Sequence, residues 1–186
     1  IESRKLKIDI AGVPHIVAFG GLHGAIEKYN DKGKFVQIDV SSYYPSLIIN
    51  NNFMSRASEE PERFTHLREM RFKLKAEKNP KQQIYKILLN ATFGAMKSEY
   101  NTLYDPRQAN NICINGQLIL IQLINELAPY GQLIQSNTDG IVVKYSDYTK
   151  IEKVVHDFEK RFNLTLDMDK IIKIAQRDVN NYAIEF

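Results

Sequence analysis

Residues 132–145 (QLIQSNTDGIVVKY) constrain the fold more than any other stretch. Apolar residues stand on both sides of Asn137-Thr138-Asp139-Gly140, and that tetrad favours a tight reversal. The segment predicts a β-hairpin. Residues 34–40 (KFVQIDV) predict a partner strand. Val36, Ile38 and Val40 point one way; Phe35, Gln37 and Asp39 point the other, the period of two of a half-buried strand. Asp39 stands at its end on the more polar face.

Around this β nucleus the pattern alternates. Residues 6–18 predict a strand pair around Gly12-Val13-Pro14, and Gly20-Gly21-Leu22-His23-Gly24 reads as a glycine-rich turn. Tyr44-Pro45-Ser46 bends the chain into a short helix. Residues 62–78 predict a helix with Phe64, Leu67, Met70 and Leu74 at helical spacing, ended by Asn79-Pro80. Residues 81–97 predict a second helix with Ile84, Ile87, Leu88 and Ala91 apolar, so the two make a helical hairpin. A long apolar helix (107–127) precedes the β-hairpin. An amphipathic helix (150–162) and strands at 164–174 and 179–186 follow it. The class is α+β, an antiparallel sheet covered by helices on one face.

The chain has 186 residues and a single Cys, Cys113. A disulfide framework and a Cys-based zinc site are excluded. No apolar run approaches the roughly 18 residues of a membrane span, so no membrane partner is expected. The chain begins at Ile1, and it is expected to be a piece of a longer protein. The net charge of +3 is mild, but cations crowd residues 63–86. Arg68, Arg71, Lys75 and Lys78 share one face of the first helix. Gln82, Lys86 and Asn90 share a face of the second. Two rows of donors could grip a polyphosphate; a solvated surface is the plainer alternative. Asp39 and Asp139 could share Mg²⁺ if their strands are neighbours, since hard oxygen ligands with open water positions suit that ion.

These residues carry a resemblance. Asp39-Val40-Ser41-Ser42-Tyr43-Tyr44-Pro45-Ser46 resembles the first polymerase motif of family B DNA polymerases, Asp-x-x-Ser-Leu-Tyr-Pro-Ser. Lys86-Ile87-Leu88-Leu89-Asn90-Ala91-Thr92-Phe93-Gly94 is similar to their second, Lys-x-x-x-Asn-Ser-x-Tyr-Gly. Asn137-Thr138-Asp139-Gly140 is similar to their third, Asp-Thr-Asp-Ser. Arg71 and Lys75 match an Arg-x-x-x-Lys pair on the first fingers helix. The resemblance covers roughly residues 15–186.

The resemblance implies a palm sheet with an inserted helical-hairpin fingers subdomain: palm at 1–60 and 98–186, fingers at 61–97. It implies DNA-directed addition of dNMP to a primer 3′-OH with release of pyrophosphate. Two Mg²⁺ ions, or Mn²⁺ in their place, would be held by Asp39, Asp139 and the Val40 carbonyl. Ser41, Ser42 and Tyr43 would offer backbone N–H groups to the phosphates, and Tyr44 would be the steric gate against a ribose. Arg71, Lys75, Lys86 and Asn90 would bind the triphosphate. Phe93, Gly94, Asn137, Thr138 and Tyr182 would lie against DNA. The implied partners are primer-template DNA, dNTP, and the exonuclease and thumb domains of the same polypeptide, in the cytoplasm of a bacterial or phage-infected cell.

Departures accompany the match. Asn137 stands for Asp, Gly140 for Ser, Ala91 for Ser and Phe93 for Tyr. Asn180-Asn181-Tyr182 stands for Lys-x-Tyr. They fit a divergent phage or prophage branch, or a decayed copy. A non-catalytic nucleic-acid-binding sheet of RRM type would carry a Lys/Arg-Gly-Phe/Tyr signature, and none is found. Reverse transcriptases place two adjacent Asp in the hairpin turn, whereas Asp139 precedes Gly140; cyclases lack the Lys86/Asn90 helix. His15, His66 and His156 have no metal-ligand spacing. His23 reads as a loop residue or template-side contact. Asp167 and Asp169 read as an exposed strand edge.

Overall fold

The computed structural model describes residues 5–18 and 20–186. The chain alternates β1 (Leu6–Ile10), β2 (Val13–Ala18), β3 (Gly21–Ala25), β4 (Tyr29–Val40), α1 (Tyr43–Asn50), α2 (Pro61–Ala76), α3 (Gln82–Lys97) and α4 (Pro106–Leu127). Then come β5 (Gly131–Asn137), β6 (Gly140–Tyr145), α5 (Tyr148–Phe162), β7 (Leu166–Asp178) and β8 (Asn181–Glu185). The strands form one antiparallel sheet in the order β1-β2-β3-β5-β6-β4-β7-β8. Two compact units result. A sheet unit holds the chain up to Ser41 and again Gly116–Phe186; a helical unit holds Ser42–Asn115, the boundary falling inside α4.

In the sheet unit, alternation on β4 builds both faces. Val36, Ile38 and Val40 are buried, and so are Ile141 and Val143 opposite them on β6. On the other face Phe35 is also buried, in a cluster with Ile134, Val142, Ile171 and Ile174. Beyond that cluster the same face turns polar, through Gln37 and Asp39. Burial of side chains this size contributes about 1.5–3 kcal/mol each, so the register is strongly fixed. A one-residue slip would bring Asp39 to the Val36–Val40 face. On α5, Ile151, Val155 and Phe158 recur at helical spacing and are buried.

The structure alters several expectations. From Gly21 on, the glycine-rich segment is strand β3 rather than a turn; Gly21 passes close to the β5–β6 turn where a side chain would not fit, since a Cβ there would stand 2.6 Å from Thr138 Oγ1. The β1–β2 reversal is at Ala11-Gly12, with Gly12 N–H donated to Asp9 Oδ1 (3.0 Å). The bend after β4 is at Ser42, in the left-handed region at φ 51°. Pro45 lies within the first turn of α1, where a missing N–H costs nothing.

In the helical unit, α2 packs on α3 and α1 on both. Asp105, at the start of α4, is buried. It accepts from Arg56 Nε (2.8 Å), Nη2 (2.9 Å) and N (3.1 Å), which ties down the 51–60 loop. The apolar residues anticipated on α3 do not form a core stripe. Ile84, Ile87 and Leu88 are exposed, whereas Leu89 and Met96 are buried.

Candidate active site

Antiparallel partners share a face, so register alone assembles a row of side chains across the sheet. Asn137 on β5 opposes Gly140 on β6; Gly140 opposes Asp39 on β4; Asp39 opposes Asp167 on β7; His23 on β3 opposes Asn137. One pair inward, Gln135, Val142, Gln37 and Asp169 form the next row on that face. Asp139 sits in the reversal between the strands. Its carbonyl accepts from Val40 N–H (2.8 Å), so the two expected carboxylate positions are brought together. Asp39, Asp139, Gln37, Gln135, Asn137 and Tyr182 line one cavity of about 110 Å³.

Asp39 is held in place from two sides. Gln37 Nε2 donates to its Oδ2 (2.7 Å). Its Oδ1 lies over Gly140, where any Cβ would overlap it. Glycine at 140, one of the departures, is thus what this carboxylate position requires. Burial raises the Asp39 pKa above the ordinary carboxylate range. The Gln37 hydrogen bond opposes that rise, and the charges of Asp139, Asp169 and Asp167 add to it. A nearby cation would relieve this crowding.

The turn is braced from β3. Thr138, at φ 53°, donates its N–H to Leu22 O (2.9 Å), and His23 Nδ1 lies 3.0 Å from Asn137 Oδ1. His23 is therefore a strand residue facing Asn137 rather than a loop residue. Asp167 is half-buried and accepts from Ser41 Oγ (2.6 Å); Asp169 is exposed. Ser41 N–H is donated to Thr165 O (2.8 Å), so that amide is engaged inside the sheet. The cross-strand neighbours Gln37, Gln135 and Asp167 had no motif to announce them. The alternation that puts Gln135 and Asn137 on one face of β5 was the available signal.

Within the helical unit, the Tyr44 ring meets Phe93 (centroids 4.6 Å apart) and stacks on Tyr43 (6.1 Å). Lys97 Nζ stands 4.7 Å over the Phe93 ring. Arg71 is buried, Lys75 half-buried, and Lys86, Asn90 and Gly94 are exposed. Arg68 Nε is buried without a hydrogen-bond partner among the described residues, and burial lowers that guanidinium's pKa. Lys78 lies past the end of α2 with φ 53°, outside the helical row expected for it.

Comparison with known proteins adds independent observations. No family model matches the chain. DNA polymerase 1 of Sulfurisphaera ohwakuensis is 26% identical over 95 residues, half of this chain and 11% of that protein. DNA polymerase 1 of Sulfolobus acidocaldarius is 27% identical over 93 residues, again 11% of its length. Among solved structures, the family B DNA polymerase from the hyperthermophilic archaeon Pyrobaculum calidifontis is similar at TM-score 0.63 and 18% identity, over 86% of this chain and 27% of that one. The fold is that of part of a family B DNA polymerase. Over half its length the chain is also homologous to archaeal DNA polymerases. The matched stretch spans about a tenth of those relatives.

Proposed function

We propose that the chain is the palm and fingers portion of a DNA-directed DNA polymerase. The reaction is Mg²⁺-dependent addition of dNMP to a primer 3′-OH with release of pyrophosphate. The observation that carries this reading is the meeting of Asp39 and Asp139 beside one cavity at the end of the β4–β6 pair. The archaeal relatives, named as DNA polymerases, support it. The departures at Asn137, Gly140 and Phe93 fit a divergent phage or prophage branch, or a decayed copy.

The donor set fits magnesium. It is all hard oxygen: two carboxylates and the Val40 carbonyl, with Gln135 Oε1, a buried acceptor with no hydrogen-bond partner among the described residues, lining the same cavity. Among the described residues no group of three or more His, Cys, Asp or Glu is placed to hold a metal ion by itself. Asp39 and Asp139, with the Val40 carbonyl, would hold divalent ions, which would supply charge neutralisation for phosphoryl transfer. Asp39 and Asp139 hold the site, Gln37 fixes the Asp39 carboxylate, and the β3 brace fixes the turn. Arg71, Lys75 and Lys86 supply positive charge to a triphosphate, with Asn90 beside Lys86 by one helical turn. Tyr44, held against Phe93, presents an aromatic edge that excludes a 2′-OH.

Primer extension by the enzyme that contains this chain tests the reading. Asp39→Asn and Asp139→Asn are each expected to reduce single-turnover incorporation at least about 10³-fold, of the order lost with a preorganised electrostatic group. Either variant within tenfold of wild type overturns it.

A further inference from the structure

We propose that Gln135 is a positioning residue of the metal site, its buried Oε1 accepting a hydrogen bond from water bound to the cation that Asp39 and Asp139 hold. This rests on the metal reading above. Gln135 is only 4% exposed, and its Oε1 has no protein partner among the described residues. A buried acceptor left that way is uncommon. The side chain lines the same cavity as Asp39 and Asp139, and β5 alternation puts it on their face of the sheet. Gln37, its counterpart in the row, directs Nε2 to Asp39 Oδ2 (2.7 Å), and Gln135 Oε1 has no bond from it.

The chemistry selects a hydrated cation. The charged groups lining the cavity are the carboxylates Asp39 and Asp139; an oxygen acceptor beside them calls for a proton donor, and water bound to a cation held by those carboxylates supplies one. The cavity of about 110 Å³ exceeds the roughly 30 Å³ share of one water, so an ion with part of its hydration shell fits. Magnesium and manganese retain several waters when only two carboxylates bind them. A partner that orients such ligands typically accounts for 10–100-fold in metal affinity.

The test is Mn²⁺ binding to the 186-residue chain, read by the electron paramagnetic resonance signal of free Mn²⁺, for wild type, Gln135→Met, Gln135→Glu and Asp139→Asn. Gln135→Met keeps the length and removes the acceptor; it is expected to weaken Mn²⁺ binding about tenfold or more with the circular dichroism spectrum unchanged. Gln135→Glu keeps an acceptor and adds charge, and is expected to bind at least as tightly as wild type. If Asp139→Asn weakens binding but Gln135→Met stays within twofold of wild type, the role assigned to Gln135 is wrong while the metal reading stands. If Asp139→Asn binds like wild type, the metal reading itself fails. Should Gln135→Met not fold, Gln135→Glu decides alone: weaker binding than wild type overturns the proposal.

Discussion

The carboxylate site and the cationic rows are built by opposite means. Asp39, Gly140, Asn137 and Asp167 meet through sheet register, across sequence separations of up to 128 residues. Arg71 and Lys75, or Lys86 and Asn90, are neighbours by one helical turn and need no distant partner. The sheet site is over-determined: Gln37, Gly140 and the Thr138–Leu22 bond each constrain it. The helical rows are set locally, with Lys86 and Asn90 exposed. A site made by register should fail sharply when one contact is altered, whereas a site made of a surface row should lose function in increments.

The sharpest test of the incremental half concerns α3. Lys86→Ala is expected to weaken dNTP binding about 10–100-fold, the range of one charge-assisted phosphate contact, roughly 1.5–3 kcal/mol. Lys81→Ala, outside the row, should change it little. Equal effects would reduce α3 to a generic basic surface and erase the distinction between its positions. Equilibrium dNTP binding with Mg²⁺ measures both.

The sharp half is tested at Gly140. A methyl group there would overlap Asp39 Oδ1, so Gly140→Ala is expected to cost about 1–3 kcal/mol, as overpacking does. In an Asp39→Ala background that cost should vanish, because the colliding carboxylate is gone. Denaturant unfolding of the four proteins of the cycle measures it. A cost that persists without Asp39 would assign Gly140 to backbone conformation instead.

Legibility followed the same division. The β5–β6 hairpin, the alternation of β4 and the three polymerase-like strings were readable because turn residues and period-two patterns are local. The rows were not, since nothing in residues 164–174 tells that Asp167 opposes Asp39. β8 reaches only the Lys173–Asp178 part of β7, so the outer side of β7 at Asp167 and Asp169 faces no β8 residue. The expected edge was thus right as to pairing on one side and silent about the other. Gly21–Gly24 failed as a turn because its glycines serve close approach, Gly21 to Thr138 and Gly24 to the His15 ring. Ile84, Ile87 and Leu88 are exposed on α3; helical spacing shows that residues share a face without showing whether that face is covered.

A smaller effect separates the β3 side of the sheet from the rest. His15 is buried, with Nδ1 2.7 Å from Val13 O and Nε2 2.8 Å from Ser136 Oγ. The carbonyl requires a proton on Nδ1, so Nε2 of the neutral ring accepts from the Ser136 hydroxyl. Burial lowers its pKa below the ordinary 6.5. The unfolded chain therefore binds this proton first as pH falls, and stability contributed by neutral His15 is complete above about pH 6.5 and declines below it. The thermal midpoint should fall between pH 7.5 and pH 5.5 in wild type, and by less in His15→Gln. Equal slopes would show that other groups carry the pH dependence.

The central claim is that Asp39 and Asp139 hold one metal site on this sheet. Iron-mediated cleavage tests it most directly: Fe²⁺ replaces Mg²⁺, and hydroxyl radicals generated there cut the backbone beside the bound ion. Two clusters of cuts are expected, one at residues 39–41 and one at 137–140, both suppressed by excess Mg²⁺ and both lost in Asp139→Asn. Cuts at only one cluster, or a pattern that survives Asp139→Asn, would contradict it.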